Sequence, residues 1–363
     1  MGQLHPIRKA SPTVFTCVGR SFSIADIIDA AHFRGEVQPA WVRLLQVVAA
    51  EEDAAERELE PDLDALQEMS DDFRSERDLI TAEETEQWLA QRDLSLDDFS
   101  DHFGRRYWGA SLKPKAESET LEYAAAPAEL RELLPTELVL SGAFDPLAIA
   151  LSWRVAARAA AAGRELSAEL ISAERRSFLE RAGVDEGSLP DWLTARGRDA
   201  GWWDEMLRLE AYFRREREAL VTEERCRAEA AATRLQLARF EVETIELESQ
   251  DAACEALLCV RSDGLSLEEI ASEGAYPYHR DMVLLEDLPD AVQERFLCAV
   301  PGEVLGPLSR GDGFQVCRIC QKIEPTLGDA EVRRRIEERL LRRFFSEMCS
   351  THVRWAILVG SIA

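Results

Sequence analysis

The sequence lacks several features that would place it in a well-known class. No apolar run approaches the roughly 20 residues that a membrane-spanning helix needs. No charged start, apolar stretch and small-residue cleavage site opens the chain, so we expect a cytoplasmic protein without a membrane partner. Phosphate-binding, dinucleotide-binding, serine-hydrolase and zinc-protease motifs are also absent, and we expect no cofactor.

Positive charge is in short supply. The chain has 43 Lys and Arg against 69 Asp and Glu, which gives a formal net charge of −26. Such a surface repels phosphate backbones, so a nucleic-acid partner is not expected. Basic or neutral polypeptides remain as partners that this charge would tolerate or attract.

Cysteines are few and scattered, at 8 in 363 residues, and only Cys317 and Cys320 form a CxxC spacing. No second CxxC or histidine pair completes a zinc site. The pair also falls within a predicted strand, where residues three apart point to opposite faces. We therefore predict structural thiols and no metal site.

The length of 363 residues exceeds one ordinary hydrophobic core and predicts two or three domains. An internal repeat divides the first two thirds. The stretch 44–63 matches 151–170 at an offset of 107, and WLAQR from Trp88 matches WLTAR from Trp192 at an offset of 104. Two copies of one helical unit are the simplest account, with both tryptophans as core anchors.

Local signals predict that both copies are helical. Thr81 and Glu84 form a capping box, in which each side chain satisfies a backbone amide at the helix start. A strand or irregular segment is expected over 15–22, and a polar connection over 113–126. A long helical segment over 202–237, with a break near Leu220, leads to the next domain. An amphipathic helix over 329–348 should pack back onto the N-terminal helices.

The C-terminal third has a different pattern. A short helix begins near Pro289, a turn follows at Pro301-Gly302-Glu303, and Gly306-Pro307 precedes a hairpin tip at 309–313. A strand is predicted over 314–323, and an earlier strand over 239–248 precedes two helices.

This order of elements resembles the parvulin-type peptidyl-prolyl isomerases over about residues 239–325. The turn at Pro301, the Gly306-Pro307 pair and the Gly313-Phe314-Gln315 start of the last strand occupy the family's motif positions. With helices on both sides of this domain, the chain also resembles the SurA-type chaperones and related parvulin foldases. It further resembles parvulin-like proteins of peptide maturation systems.

The predicted fold is therefore α+β. A mainly helical N-terminal part with a duplicated unit precedes a parvulin-like domain with a small antiparallel sheet and a C-terminal helix. The expected domains are 1–112, 127–238 with the connecting helix, 239–325, and 326–363.

The resemblance also implies site residues. Leu288 takes the position of the family's Met or Leu, and Val292 that of its pocket Phe. Gln315 stands at the last-strand histidine, and the first-strand histidine falls on Glu243 to Ile245, none of which is histidine. The family's Cys or Asp segment is shortened to 274–280, where His279 is a weak catalytic candidate, most simply a surface-loop residue, and Gln315 is the other. The predicted peptide-binding residues are Leu288, Val292, Phe296, Phe314, Gln315, Tyr276 and Tyr278.

Three functions remain open. The first is a foldase or chaperone that binds unfolded or precursor polypeptide with a degenerate isomerase site. The second is an active peptidyl-prolyl cis-trans isomerase. The third is a non-catalytic adaptor that holds a peptide-modifying enzyme near its substrate.

Overall fold

The computed structural model describes residues 11–112, 121–311 and 313–357. It forms two compact units, the helical unit (1–218 with 343–363) and the sheet unit (219–342). Parts of four predictions lie outside the described residues. They are the loose arm that Pro6 and Pro12 predict over 1–14, the polar connection over 113–126, the hairpin tip over 309–313, and the short apolar tail over 355–363 that should pack on the protein.

In the described part of the helical unit ten α-helices follow one another, and several begin at the caps that the sequence predicts. Thr81 accepts from the amide of Glu84 at 3.2 Å, and the Glu84 carboxylate accepts from the amide of Thr81 at 2.8 Å. The helices are α1 (Ile24–Arg34), α2 (Gln38–Glu56), α3 (Leu63–Ser75), α4 (Ala82–Ala90), α5 (Leu96–Ser111), α6 (Ala128–Leu140), α7 (Phe144–Ala160), α8 (Ala168–Ala182), α9 (Leu189–Ala195) and α10 (Ala200–Leu220).

A three-stranded antiparallel sheet joins the two ends of the described chain in this unit. Strands β1 (Thr13–Cys17), β2 (Arg20–Ser23) and β7 (Val353–Trp355) lie in the order β2-β1-β7. The rings of Phe15 and Trp355 meet edge to face at 5.1 Å. The sequence pattern indicated only the first part of this sheet, because a three-residue strand has no periodicity of its own.

The first repeat tryptophan, Trp88 on α4, lies against α3. Its ring meets Phe73 edge to face at 5.4 Å, and the Arg92 guanidinium lies over it at 3.9 Å. Arg92 also donates to the Trp88 carbonyl at 3.1 Å. The tryptophan is half-buried rather than a core anchor, and its neighbour Leu89 is the buried residue, at 1% exposure.

Trp192 on α9 makes the same set of contacts with α8. Its ring meets Phe178 edge to face at 5.1 Å, and the Arg196 guanidinium lies over it at 4.0 Å. Arg196 donates to the Trp192 carbonyl at 3.3 Å, and Leu193 is the buried neighbour. The two segments thus share their local packing, while duplication of a whole unit stays a prediction.

The sheet unit contains a four-stranded antiparallel sheet in the order β4-β3-β6-β5. Two helices cross between β3 and β4, and one lies between β4 and β5. The elements are α11 (Glu223–Ala232), β3 (Arg239–Leu247), α12 (Gln250–Leu258), α13 (Leu267–Gly274), β4 (Tyr278–Leu284), α14 (Asp290–Cys298), β5 (Val304–Arg310), β6 (Gly313–Ile323) and α15 (Ala330–His352), the last of which ends in the helical unit.

The sheet separates two apolar cores, because side chains alternate between its faces. One face, here the α12 face, carries Ile245 and Val316 beneath α12 and α13. The other, the α14 face, carries Val242 and Ile319 beneath α14. Each core is small. Successive residues of the central strands contribute side chains to the two cores in turn.

The predicted fold class is confirmed: a mainly helical chain with a small antiparallel sheet and a C-terminal helix. Two details differ from the sequence prediction. Strand β4 was not predicted, so His279 lies in a strand and not in a loop. The amphipathic stripe of α15 is shared between the units, with Val332 and Ile336 in the sheet unit and Phe345 stacked on Trp153 at 5.3 Å in the helical unit.

Among the described residues no single helix has the length and apolar character to cross a membrane. The consecutive helices α6 and α7 pass that test only as a pair, bent by 86°.

Candidate functional site

The predicted site maps to the α14 face of the four-stranded sheet. Cross-strand partners share a face, so register shows which side chains lie together. His279, Thr244 and Cys317 form one row across β4, β3 and β6. Glu246 and Gln315 form the next row on the same face, because each lies two residues from a member of the first row.

Gln315 is held by a carboxylate. Its Nε2 donates to Oε1 of Glu246 at 3.1 Å, and Nη1 of Arg310 approaches the same oxygen at 3.3 Å. All three side chains come from the end of the sheet where β6 begins. An amide, a carboxylate and a guanidinium can bind peptide groups through hydrogen bonds, but none of them is a base like imidazole at neutral pH.

Strand register shows which residue of the predicted first-strand position lies on the α14 face. Of the three residues it covered, Thr244 faces α14, whereas Glu243 lies on the other face, 3.6 Å from both Arg280 and Arg318. Thr244 therefore places a hydroxyl on the face that also carries Gln315. The apolar alternation changes phase within β3, from Phe240 and Val242 to Ile245 and Leu247, so the sequence pattern by itself does not identify this row.

Cys317 completes the row beside Thr244, yet it is a poor reactive group. It is 1% exposed, and burial, with a smaller effect of Cys320, raises the pKa of its thiol to about 12. Cys320 lies on a different part of the strand, at the irregularity opposite Glu241. Within the described ranges no group of three or more His, Cys, Asp or Glu residues is arranged to hold a metal ion.

The apolar part of the site is formed by the segment before α14 and its first turn. Leu288 and Val292 are half-buried and pack on the α14-face core. Nε2 of Gln293 donates to the Leu288 carbonyl at 2.9 Å, which positions that backbone. Part of each of these two side chains remains exposed.

The remaining members of the predicted peptide-binding set lie elsewhere. Phe296 is 2% exposed and meets Phe240 edge to face at 5.3 Å, so it belongs to the core. Phe314, Tyr276 and Tyr278 pack against the α12-face core, on the opposite side of the sheet from Leu288. Phe314 and Gln315 are neighbours in β6, so their side chains point to opposite faces of the sheet.

His279 is exposed and lies on the same face as Gln315, directly across from Thr244. It is the only histidine between residues 219 and 342. The structure therefore places the two weak catalytic candidates on one face of the sheet, the face on whose core Leu288 and Val292 pack. It does not bring together a pair of histidines.

The comparisons with known proteins are limited to fold likeness. No family model and no curated protein matches the chain. Similar solved structures include PrsA, a peptidylprolyl isomerase from Bacillus cereus, at 14% identity and a TM-score of 0.37, covering 60% of this chain and 84% of that one. The foldase protein PrsA from Streptococcus pneumoniae has 10% identity, a TM-score of 0.25 and the same coverage, 60% and 84%.

A SurA-like chaperone structure from Campylobacter jejuni has 5% identity and a TM-score of 0.21, covering 62% of this chain and 88% of that one. The structural neighbours are thus PrsA-like and SurA-like proteins. Since all three TM-scores lie below 0.5, we take nothing about activity from these likenesses.

Proposed function

We propose that this protein is a foldase or chaperone that binds unfolded or precursor polypeptide at the α14 face and has a degenerate isomerase site. The observation that carries the proposal is the pairing of Gln315 with Glu246 at 3.1 Å on the face of the sheet where the partly exposed Leu288 and Val292 pack. An apolar floor next to hydrogen-bonding side chains suits an extended peptide, whose backbone groups need partners when they leave water.

The same rows explain why we expect little isomerase activity. Rotation about an X-Pro bond has a barrier of roughly 20 kcal/mol, and the resemblance implies that histidines favour the twisted amide. The resemblance assigns Gln315 and the segment 243–245 to those positions, and Thr244 is the residue of that segment on the α14 face. Both side chains can hydrogen-bond to a peptide, but the pairing with Glu246 directs the Gln315 amide toward a carboxylate instead of a substrate.

An active isomerase is the second candidate, and the placement of His279 favours it. Its ring lies on the binding face beside Thr244, so one imidazole is available where a peptide would lie. Variant His279→Ala separates the two functions, because it should abolish isomerisation by this route and leave apolar peptide binding largely intact.

The test pairs two measurements on the full chain: a protease-free X-Pro isomerisation assay, and titration of a labelled extended peptide that contains proline, leucine and lysine. We expect binding without isomerisation. Val292→Asp should weaken binding at least tenfold, because it places a charge on the apolar floor. Leu258→Asp is the matched control, since Leu258 is 63% exposed at the end of α12 and outside the α14-face core.

Repeating the titration at two salt concentrations tests the role of the acidic surface. With a net charge of −26, the lysine-bearing peptide should bind more weakly at high salt, and an uncharged analogue should not. Isomerisation at a rate typical of parvulins would refute the degenerate site. A folded protein that binds neither peptide would leave the adaptor function, in which a peptide-modifying enzyme copurifies with the chain from its host.

A further inference from the structure

A cleft in the helical unit is lined at its centre by basic and aromatic side chains. Its central cavity has a volume of about 240 Å³ and adjoins cavities of about 680 Å³ and 480 Å³, with which it shares lining residues. Among the described residues, three arginines, Arg131, Arg196 and Arg198, line the central cavity together with one acidic residue, Asp29. The described lining of this cavity is therefore net positive, whereas the adjoining cavity of about 680 Å³ also carries Asp93, Asp98 and Glu132.

These arginines are not all neutralised by the protein. Arg198 pairs with Asp29. Arg196 donates to the Trp192 carbonyl at 3.3 Å and lies over the indole at 4.0 Å, and its guanidinium has no ion pair with a residue in the described parts of the chain. Burial lowers the pKa of Arg196, and the charge of Glu122 in the adjoining cavity opposes this effect.

Two polar atoms in the cavity wall are buried without a hydrogen-bond partner among the described residues: Nε of Arg131 and Nε2 of His32. A buried donor left unpaired is disfavoured, and native proteins normally satisfy it with protein, water or ligand. Burial, followed by the charge of Arg196, lowers the pKa of His32 to about 4, so the ring is neutral at pH 7. A neutral ring can offer one N–H without adding charge.

Aromatic rings form the other walls. Tyr123 lies 4.2 Å from the His32 ring, centre to centre, and Trp192 and Trp202 line the far side. The volume of about 240 Å³ is below the range of roughly 300–1,000 Å³ usual for sites that hold whole drug-sized ligands. Size and lining therefore fit one anionic group attached to an apolar or aromatic stem.

We propose that this cavity binds a carboxylate of a polypeptide, with Arg131 and Arg196 as its ligands and the aromatic walls around its stem. Planar guanidinium groups match the two oxygens of a carboxylate, and such charge-assisted hydrogen bonds are about twice as strong as neutral ones. The acidic surface repels free anions at long range, so selection occurs at short range. The inference rests on the proposed function in taking polypeptide as the source of the carboxylate.

The source is either a free C-terminus or an Asp or Glu side chain, and peptides distinguish them. Three short peptides of one apolar sequence serve as probes: one with a free C-terminus, one amidated, and one amidated with an internal Glu. N-acetyl-phenylalanine and its amide test the cavity by itself. Trp192 and Trp202 in the wall provide the readout through tryptophan fluorescence.

We expect the parent protein to bind a carboxylate form at least tenfold more tightly than its amide, a difference of about 1.4 kcal/mol. Arg131→Gln and Arg196→Gln should each remove most of that preference, and Arg131→Lys should retain part of it because the charge remains. Arg106→Gln is the control, since Arg106 is exposed on α5 and does not line the cavity.

Equal binding of acid and amide, or a preference that survives in both glutamine variants, would overturn the carboxylate site. Tighter binding of inorganic phosphate than of N-acetyl-phenylalanine would also overturn it. If peptides bind at the α14 face without a carboxylate preference, the proposed function stands and this inference fails. If N-acetyl-phenylalanine binds with the preference but no peptide binds, the site stands as a small-carboxylate site and the proposed function fails.

Discussion

Replacement of Phe178 by alanine provides the sharpest test of packing in the helical unit. Phe178 on α8 is 1% exposed and stacks on Phe33 at 4.6 Å. It also meets Trp192 and Trp203 edge to face, at 5.1 Å and 5.8 Å. Truncation removes a buried ring and leaves a cavity between four helices.

We expect Phe178→Ala to lower the free energy of unfolding by about 3–5 kcal/mol, the usual range for a buried Phe replaced by Ala. Phe178→Leu should cost less than Phe178→Ala, because leucine retains most of the apolar volume and loses mainly the ring contacts, each worth about 0.5–1.5 kcal/mol. The counterpart Phe73, 4% exposed beside Trp88, should respond like Phe178 when changed to alanine.

Denaturation followed by tryptophan fluorescence measures these changes, with the transition of the helical unit analysed separately from that of the sheet unit. Ile80→Ala is the control, since Ile80 is 81% exposed and its truncation should change stability by less than about 0.5 kcal/mol. If the midpoint of Phe178→Ala matched that of the Ile80 variant, the proposed aromatic core would be wrong.

Three further outcomes are expected. Trp88→Ala and Trp192→Ala should each lower the free energy of unfolding by about 2–3 kcal/mol, less than the loss of a fully buried tryptophan, because both rings are half-buried. Equal denaturation midpoints for the variants and the parent would contradict this. His32 has a folded-state pKa of about 4, below its ordinary 6.5, so the unfolded chain binds the proton more readily and stability is lost as pH falls from 6.5 toward 4. In His32→Gln the denaturation midpoint should fall less between pH 6.5 and pH 4 than it does in the parent. A larger fall in the variant would contradict a lowered pKa of His32 in the folded protein. Cys317, with a pKa of about 12, should react with iodoacetamide at pH 8 at least a hundredfold more slowly than the exposed Cys254 and Cys298; peptide mapping by mass spectrometry that found equal rates would show that Cys317 is accessible.

Local signals in the sequence were sufficient to predict features that depend on residues close together in the chain. The capping box of Thr81 and Glu84 is present as predicted, because it joins backbone and side chains three residues apart. The break near Leu220 is present for a similar reason: Thr222 caps the next helix by accepting from the amide of Arg225 at 3.3 Å.

The candidate site was predictable only in part. The resemblance supplied one set of peptide-binding residues by their positions in the chain. Leu288, Val292 and Gln315 lie on the α14 face, Phe314 lies on the opposite face, and Phe296 lies in the core. Which side of a strand or helix a residue faces depends on pairing with β3 and on what α14 covers, and peptide binding by the set stays a prediction.

The sequence by itself therefore determined the helical character of the N-terminal part, the cap at Thr81, the break near Leu220 and the repeated tryptophan segment, because propensity, capping and hydrophobic period act over a few residues. Only the tertiary structure decided which side chains meet. His32, Arg131 and Arg196 lie on three separate segments and share one cavity wall, and Gln315 meets Glu246 across a sheet, 69 positions away in the chain. Contacts at such separations arise from burial and strand pairing, which local sequence does not encode.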